Sequence, residues 1–233
     1  MRQIVLDTET TGLEPAAGHR IIEIGCVELV DRKLTGRHYH QYIQPEREID
    51  EGAMEVHGIT PEFLADKPVF KDVFKDFIEY VDGAQLIIHN APFDIGFLNH
   101  EFGMLGLGDK HIEKYCSVLD TLAFARKKHP GQKNNLDALC KRYGVDNSAR
   151  DLHGALLDSE ILADVYLLMT GGQTNLALGG QDGDQQNGLG AFANAKVTRT
   201  GTPNIIRANS HELDLHQKKI EEINKASGGE SIW

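Results

Sequence analysis

Asp7 and Glu9 stand two residues apart in the run D-T-E-T-T-G at 7–12. In an extended strand, residues i and i+2 leave the same face, so this spacing sets two carboxylates side by side. Like charges that close repel and raise each other's pKa unless a cation lies between them. Carboxylate oxygens are hard ligands of the kind that suit Mg2+ or Mn2+. Taken alone, the run is equally an ordinary solvated strand end at a turn. Asp94 lies in H-N-A-P-F-D-I-G-F-L at 89–98, where a short apolar run meets Pro92. Proline favours the first turn of a helix. An acid in that turn is stabilised by the helix dipole, with no chemical role required.

His153 and Asp158 fall in H-G-A-L-L-D-S-E at 153–160. Five residues of helix turn by about 140° beyond a full revolution, so the two cannot share a helix face. The spacing predicts His153 on the loop before a helix, freed by Gly154, with Asp158 facing inward from the helix itself. A lone histidine is usually structural or solvated. Beside three further acids it becomes a candidate general base, because an imidazole with a pKa near 6.5 accepts a proton at neutral pH.

Alternating strand-like and helix-like segments must carry these residues. Arg2 to Thr8 reads as a short apolar strand ending in acids. Arg20 to Val30 and Leu34 to Ile43 read as two more strands, antiparallel neighbours. Val69 to Tyr80 has apolar residues at helical spacing. Gln85 to Ile88 is a buried strand, and Asn90 sits near the cap of the helix opened by Pro92. Cys116 to Leu119 fits a fifth strand. Asn135 to Tyr143 and Ala155 to Met169 fit helices. The expectation is an α/β domain over residues 1–170 with a central sheet.

After Thr170 the composition changes. Gly171 to Gly190 is rich in Gly, Gln, Asn and Asp and reads as a linker. The linker is taken to run over 171–210. Residues 211–233 follow, with His211 to Ala226 as a helix too short to be stable alone in water. The last 63 residues carry 6 basic and 7 acidic side chains, so nearly all of the net charge of −11 precedes them. An acidic chain is a poor general binder of duplex DNA, since affinity for the backbone comes mainly from Lys and Arg. The one basic cluster, Arg126, Lys127, Lys128 and Lys133, reads first as a solvated helix face and second as a phosphate path. Three widely spaced cysteines, Cys26, Cys116 and Cys140, suggest neither a disulfide framework nor a zinc site. No signal peptide and no membrane span are expected, and a cytoplasmic location is the simplest.

The order D-x-E, then a strand–helix Asp, then H-x-x-x-x-D resembles the DEDDh exonuclease family over roughly residues 1–170. That resemblance implies a ribonuclease-H-like fold, a five-stranded mixed central sheet flanked by helices, with a flexible C-terminal tail. It implies 3′→5′ removal of nucleotides from a DNA 3′ end, single-stranded or frayed, as 5′-mononucleotides. Asp7 would bridge two divalent cations, Mg2+ or Mn2+. Glu9 and Asp158 would complete one site, Asp94 would support the other, and His153 would act as base. Thr10 and Leu13 would meet the terminal nucleotide beside Asp7, Glu9 and Asp158. V-H-G-I at 56–59 resembles the family's element in which the His approaches the 3′-terminal nucleotide, here His57. D-E-G-A at 50–53 departs from the usual D-P-E-A, so Glu51 is offset.

The tail separates branches of the family. Gln173, Leu176 and Leu178 in G-G-Q-T-N-L-A-L resemble a sliding-clamp-binding peptide over 173–178. L-D-L-H-Q-K-K at 213–219 and the final Ile232 and Trp233 resemble the segment by which a proofreading member docks on the alpha subunit of a bacterial replicase. About 30 flexible residues between them would span roughly 30 Å. A small theta-like accessory subunit is a further partner that the residues neither require nor exclude. The alternatives are a free-standing ribonuclease trimming RNA 3′ ends and an inactive scaffold between clamp and polymerase.

Overall fold

A computed structural model describes residues 1–107, 111–148, 150, 152–171 and 208–227. The chain divides into two units, Met1–Ala177 and Leu178–Trp233. The first is built on five strands: β1 (Arg2–Thr10), β2 (Ile21–Val30), β3 (Lys33–Tyr42), β4 (Gln85–Ile88) and β5 (Ser117–Asp120). Their order across the sheet is β3-β2-β1-β4-β5. β1, β2 and β3 run antiparallel, whereas β4 and β5 lie parallel to β1 and to each other. The β2–β3 hairpin closes through Asp31 and Arg32, both at positive φ, as a tight turn matching strand twist requires.

The helices are α1 (Glu51–His57), α2 (Pro61–Leu64), α3 (Phe70–Val81), α4 (Ala91–Met104), α5 (Thr121–Lys128), α6 (Leu136–Tyr143) and α7 (Ala155–Thr170). Strand alternation sorts the core. Ile4 and Leu6 of β1 join a cluster with Phe70 and Phe77 of α3 and with Phe97 and Phe102 of α4. Val5 belongs instead to a cluster with Leu162, Ala163 and Tyr166 of α7. The sheet is therefore covered on both faces, by α3 and α4 on one and by α7 on the other. The second unit contributes α8 (Ser210–Ser227), on which Leu213, Leu215 and Ile223 are exposed.

The strands expected from sequence are present, with β1 extending two residues further, through Thr10. α1 and α2 were not expected, and α5 only as the helix face of the basic cluster, without bounds. α1 and α2 have 7 and 4 residues, too short for a helical period to register. α5 is started by the Asp120 carboxylate, which accepts from the Leu122 and Ala123 amides.

Candidate active site

β1, β4 and α7 bring the acids to one end of the sheet. Asp7 and Glu9 share the parity of Val5, so they leave β1 on the α7 side. Thr8 points the other way, and its hydroxyl donates to Asp94 Oδ1 at 2.7 Å in the first turn of α4. That turn begins where β4 ends. Asp158 lies in the first turn of α7, and its amide donates to the Gly154 carbonyl. All four acids line one pocket together with His153.

β2 fixes the height of α7 on the sheet. A Cβ on Gly25 would stand 2.2 Å from the Ala155 carbonyl carbon and from the Leu156 nitrogen, so only glycine admits the helix. The Ser159 hydroxyl donates to the Gly25 carbonyl at 2.8 Å. The buried Glu23 carboxylate accepts the Ala155 amide at 3.2 Å and lies 2.7 Å from His40 Nε2. A carboxylate at a helix N-terminus is favoured by the exposed amides and the dipole.

His153 lies on the loop ahead of α7, as the spacing to Asp158 requires. Its amide donates to the Val56 carbonyl at 3.1 Å, which ties this loop to α1. Glu9, His153 and Asp158 can each offer a ligand atom within 4.8 Å of the others. Burial raises Asp7 well above the usual carboxylate range, and Asp94, Glu9 and Asp158 push it further. Glu9 is pushed up to about 8 by burial and by Glu23, Asp158 and Asp94. Burial raises Asp94 too, against the hydrogen bond from Thr8. Hard oxygen donors this crowded and this reluctant to ionise fit divalent cations, which remove the repulsion by binding.

Arg150 supplies the opposing charge among the described residues that line this pocket. Its Nε and Nη2 donate to Asp158 Oδ1 and Oδ2 at 2.5 and 2.8 Å, and Nη1 donates to Asp137 Oδ1 at 2.7 Å. Nη2 also lies 2.9 Å from His153 Nδ1. A guanidinium only donates, so Nδ1 accepts and neutral His153 carries its proton on Nε2. Sequence reasoning missed Arg150 and Asp137. The available signal was the imbalance itself: four buried acids call for a cation, and Arg150 is three residues before His153.

An adjoining compartment is lined by Thr10, Leu13, Val56, His57 and Phe93 and shares Glu9 with the acidic pocket. His57 ends α1, where Gly58 at φ 72° closes the helix. Its Nδ1 accepts the Ile59 amide at 3.0 Å, so the neutral ring carries its proton on Nε2. That Nε2 is buried and makes no well-formed hydrogen bond among the described residues, the Thr10 main chain being its one weak partner. Phe93 packs against the core and also lines both compartments. Asp50 and Gly52 line the second compartment, and Glu51 does not. Gln173, Leu176 and Leu178 lie outside the described residues.

Residues 4–166 match the family described as Exonuclease, of the RNase T type. A DNA polymerase III subunit epsilon of Escherichia coli K12 is 48% identical over 237 residues, covering 100% of this chain and 97% of the relative. The subunit of that name from Haemophilus influenzae is 50% identical over 244 residues, covering 100% and 94%. Among solved structures, Exonuclease X in complex with 5′ overhanging duplex DNA aligns with a TM-score of 0.58 at 28% identity. That alignment covers 72% of this chain and 91% of that one.

Proposed function

Because the chain belongs to the exonuclease family and, within it, to the epsilon subunits of DNA polymerase III, we infer that it is the 3′→5′ exonuclease that proofreads the replicative polymerase. The observation that supports the chemistry is the convergence of Asp7, Glu9, Asp94 and Asp158 with His153 in one pocket. On this reading the four carboxylates hold two divalent cations, Mg2+ or Mn2+. Cations bound there supply positive charge against the phosphate oxygens and acidify water for attack.

The chain's own residues position and deprotonate. His153 takes the proton of the attacking water. Its Nδ1 lone pair is engaged by Arg150, which Asp158 also holds. Arg150 thus links the base to Asp158, one of the four carboxylates that would hold the cations. The 3′-terminal nucleoside occupies the compartment of Thr10, Leu13 and His57, next to Asp7, Glu9 and Asp158. A buried donor without an acceptor is costly, and a sugar hydroxyl oxygen satisfies His57 Nε2. Burial also lowers the His57 pKa, which keeps the ring neutral near pH 7. Cleavage yields a 5′-mononucleotide and a strand one residue shorter.

Beyond residue 170 the proposal rests on sequence. Gln173, Leu176 and Leu178 dock on the sliding clamp, and residues 211–233, including α8, dock on the alpha subunit. A theta-like accessory subunit on the nuclease domain and a cytoplasmic location belong to the same reading. No described helix is long and apolar enough to cross a membrane. The full-length match to epsilon subunits, tail included, supports this reading over a free-standing ribonuclease.

The direct test is Asp7→Asn on a 3′-labelled single strand in Mg2+. Loss of roughly a thousandfold or more in kcat is expected, since groups acting as a unit fail together. A variant that digests the strand at the normal rate would refute the assignment.

A further inference from the structure

The cleft has three compartments in a row, and its spare cations stand at one end. The acidic pocket lies in the middle and shares Thr8, Glu9 and Phe93 with the compartment of Leu13 and His57. On its other side it shares His89, Asn90 and Asn135 with a compartment that presents Arg126 and Lys133. Among the described residues, no Lys or Arg lines the His57 compartment. A 3′-terminal nucleoside ends in an uncharged hydroxyl, whereas each nucleotide upstream adds a phosphate. The distribution of cations thus matches the distribution of charge along a strand lying in one direction only.

We propose that Arg126 and Lys133 grip the backbone phosphates upstream of the scissile bond, and that this one-sided charge sets the direction in which the strand enters. The proposal rests on the exonuclease reading and names the strand's upstream binding site.

The structure divides the basic cluster of the sequence. Lys128 Nζ donates to the Met169 carbonyl and lies 5.9 Å from the centre of the Tyr143 ring. Lys127 faces a separate hollow beside Phe124 and Met169. Arg126 and Lys133 are exposed in the cleft, and no ion pair among the described residues engages either side chain. The loop behind Lys133 is braced from within. Buried Asn134 donates through Nδ2 to the His129 and Gln132 carbonyls, and its Oδ1 accepts from Arg142 Nη1. Arg142 Nη2 donates to the Lys133 carbonyl at 2.7 Å. A fixed main chain with a free ammonium suits a polyanion that must slide.

Asn90 marks the boundary between the two compartments at φ 70°, and its amide is held by Asp120 Oδ1. A non-glycine residue in the left-handed region is strained, and such strain gathers at ligand sites. The need for added positive charge is plain, because the chain carries −11 overall and five acids, Asp137 included, line the central pocket.

Two substrates separate this site from the reaction centre. A nitrophenyl ester of thymidine 5′-phosphate fills only the terminal and central compartments. A single-stranded oligonucleotide of several residues reaches the third. The full chain carrying R126A and K133A together should cleave the ester at the wild-type rate. Its KM for the oligonucleotide should rise on the order of tenfold, with kcat little changed. The slope of log KM against log salt should fall by about 0.7 for each lost contact to a single strand. The charge-preserving pair R126K and K133R should restore most of the affinity. An unchanged oligonucleotide KM and salt slope overturn the proposal. So does an equal loss on both substrates with a lowered Tm, which marks a structural role. If the wild-type protein cleaves neither substrate, the exonuclease reading itself falls.

Discussion

Glu9 ionises only against resistance, and that resistance is measurable as stability. Its pKa rises from the ordinary 4.5 to about 8 in the folded protein, through burial first and then through Glu23, Asp158 and Asp94. A raised folded pKa means the folded state holds the proton more tightly than the unfolded chain. The resulting stabilisation is fully present below about 4.5 and is lost as pH rises through about 8. Asp7 and Asp94 shift in the same direction. Metal-free protein should therefore melt at progressively lower temperature across that window, and Mn2+ should reverse the decline most at the alkaline end. Arg150 lowers the pKa values of Asp7 and Glu9, so R150Q should steepen the metal-free decline. Melting curves with chelator and with Mn2+ check this, and a flat metal-free profile would count against it. The acids were legible because alternation and helix rotation constrain their spacing. Arg150 was not, since its partners at 137, 153 and 158 meet only after α6 and α7 pack.

At the scale of elements, the site depends on the parity of β1 and on the seat of α7. Odd positions of β1 face α7 and even positions face α3 and α4, so Asp7 and Glu9 meet Asp158 while Thr8 holds Asp94. G25A places a methyl group 2.2 Å from main-chain atoms of α7, which have to move. Overpacking of this kind costs about 1–3 kcal/mol. The expected result is that loss in unfolding free energy from urea titration, with a drop in kcat beyond what the folded fraction explains, because Asp158 travels with the helix. A variant stable and fully active would show that α7 tolerates displacement. Long elements such as the amphipathic α3 and the largely apolar α7 could be read directly from the chain. α1 could not, because seven residues with an internal glycine give no period, although the same helix sets His57.

Across the molecule, the two units have different legibility. The first could be outlined from alternation and motif order. For the second, helical spacing foretold α8, but its exposed Leu213, Leu215 and Ile223 name no partner by geometry. An 18-residue helix with such a surface gains from docking, as most helical stability in proteins comes from packing an apolar face. Removing residues 179–233 should leave digestion of free oligonucleotides intact and abolish co-elution with the polymerase alpha subunit. Co-elution of the shortened protein would dismiss the tail as the docking element. Tethering by such a tail raises effective concentration, which a nuclease of net charge −11 needs. The one-ended placement of Arg126 and Lys133 also bears on what happens after a cut. The freed mononucleotide reaches only the terminal and central compartments, where the Arg150 guanidinium is already shared between Asp158 and Asp137. The shortened strand keeps its hold at the far end. Ejection of the small piece and retention of the long one then favour repeated bites within a single visit.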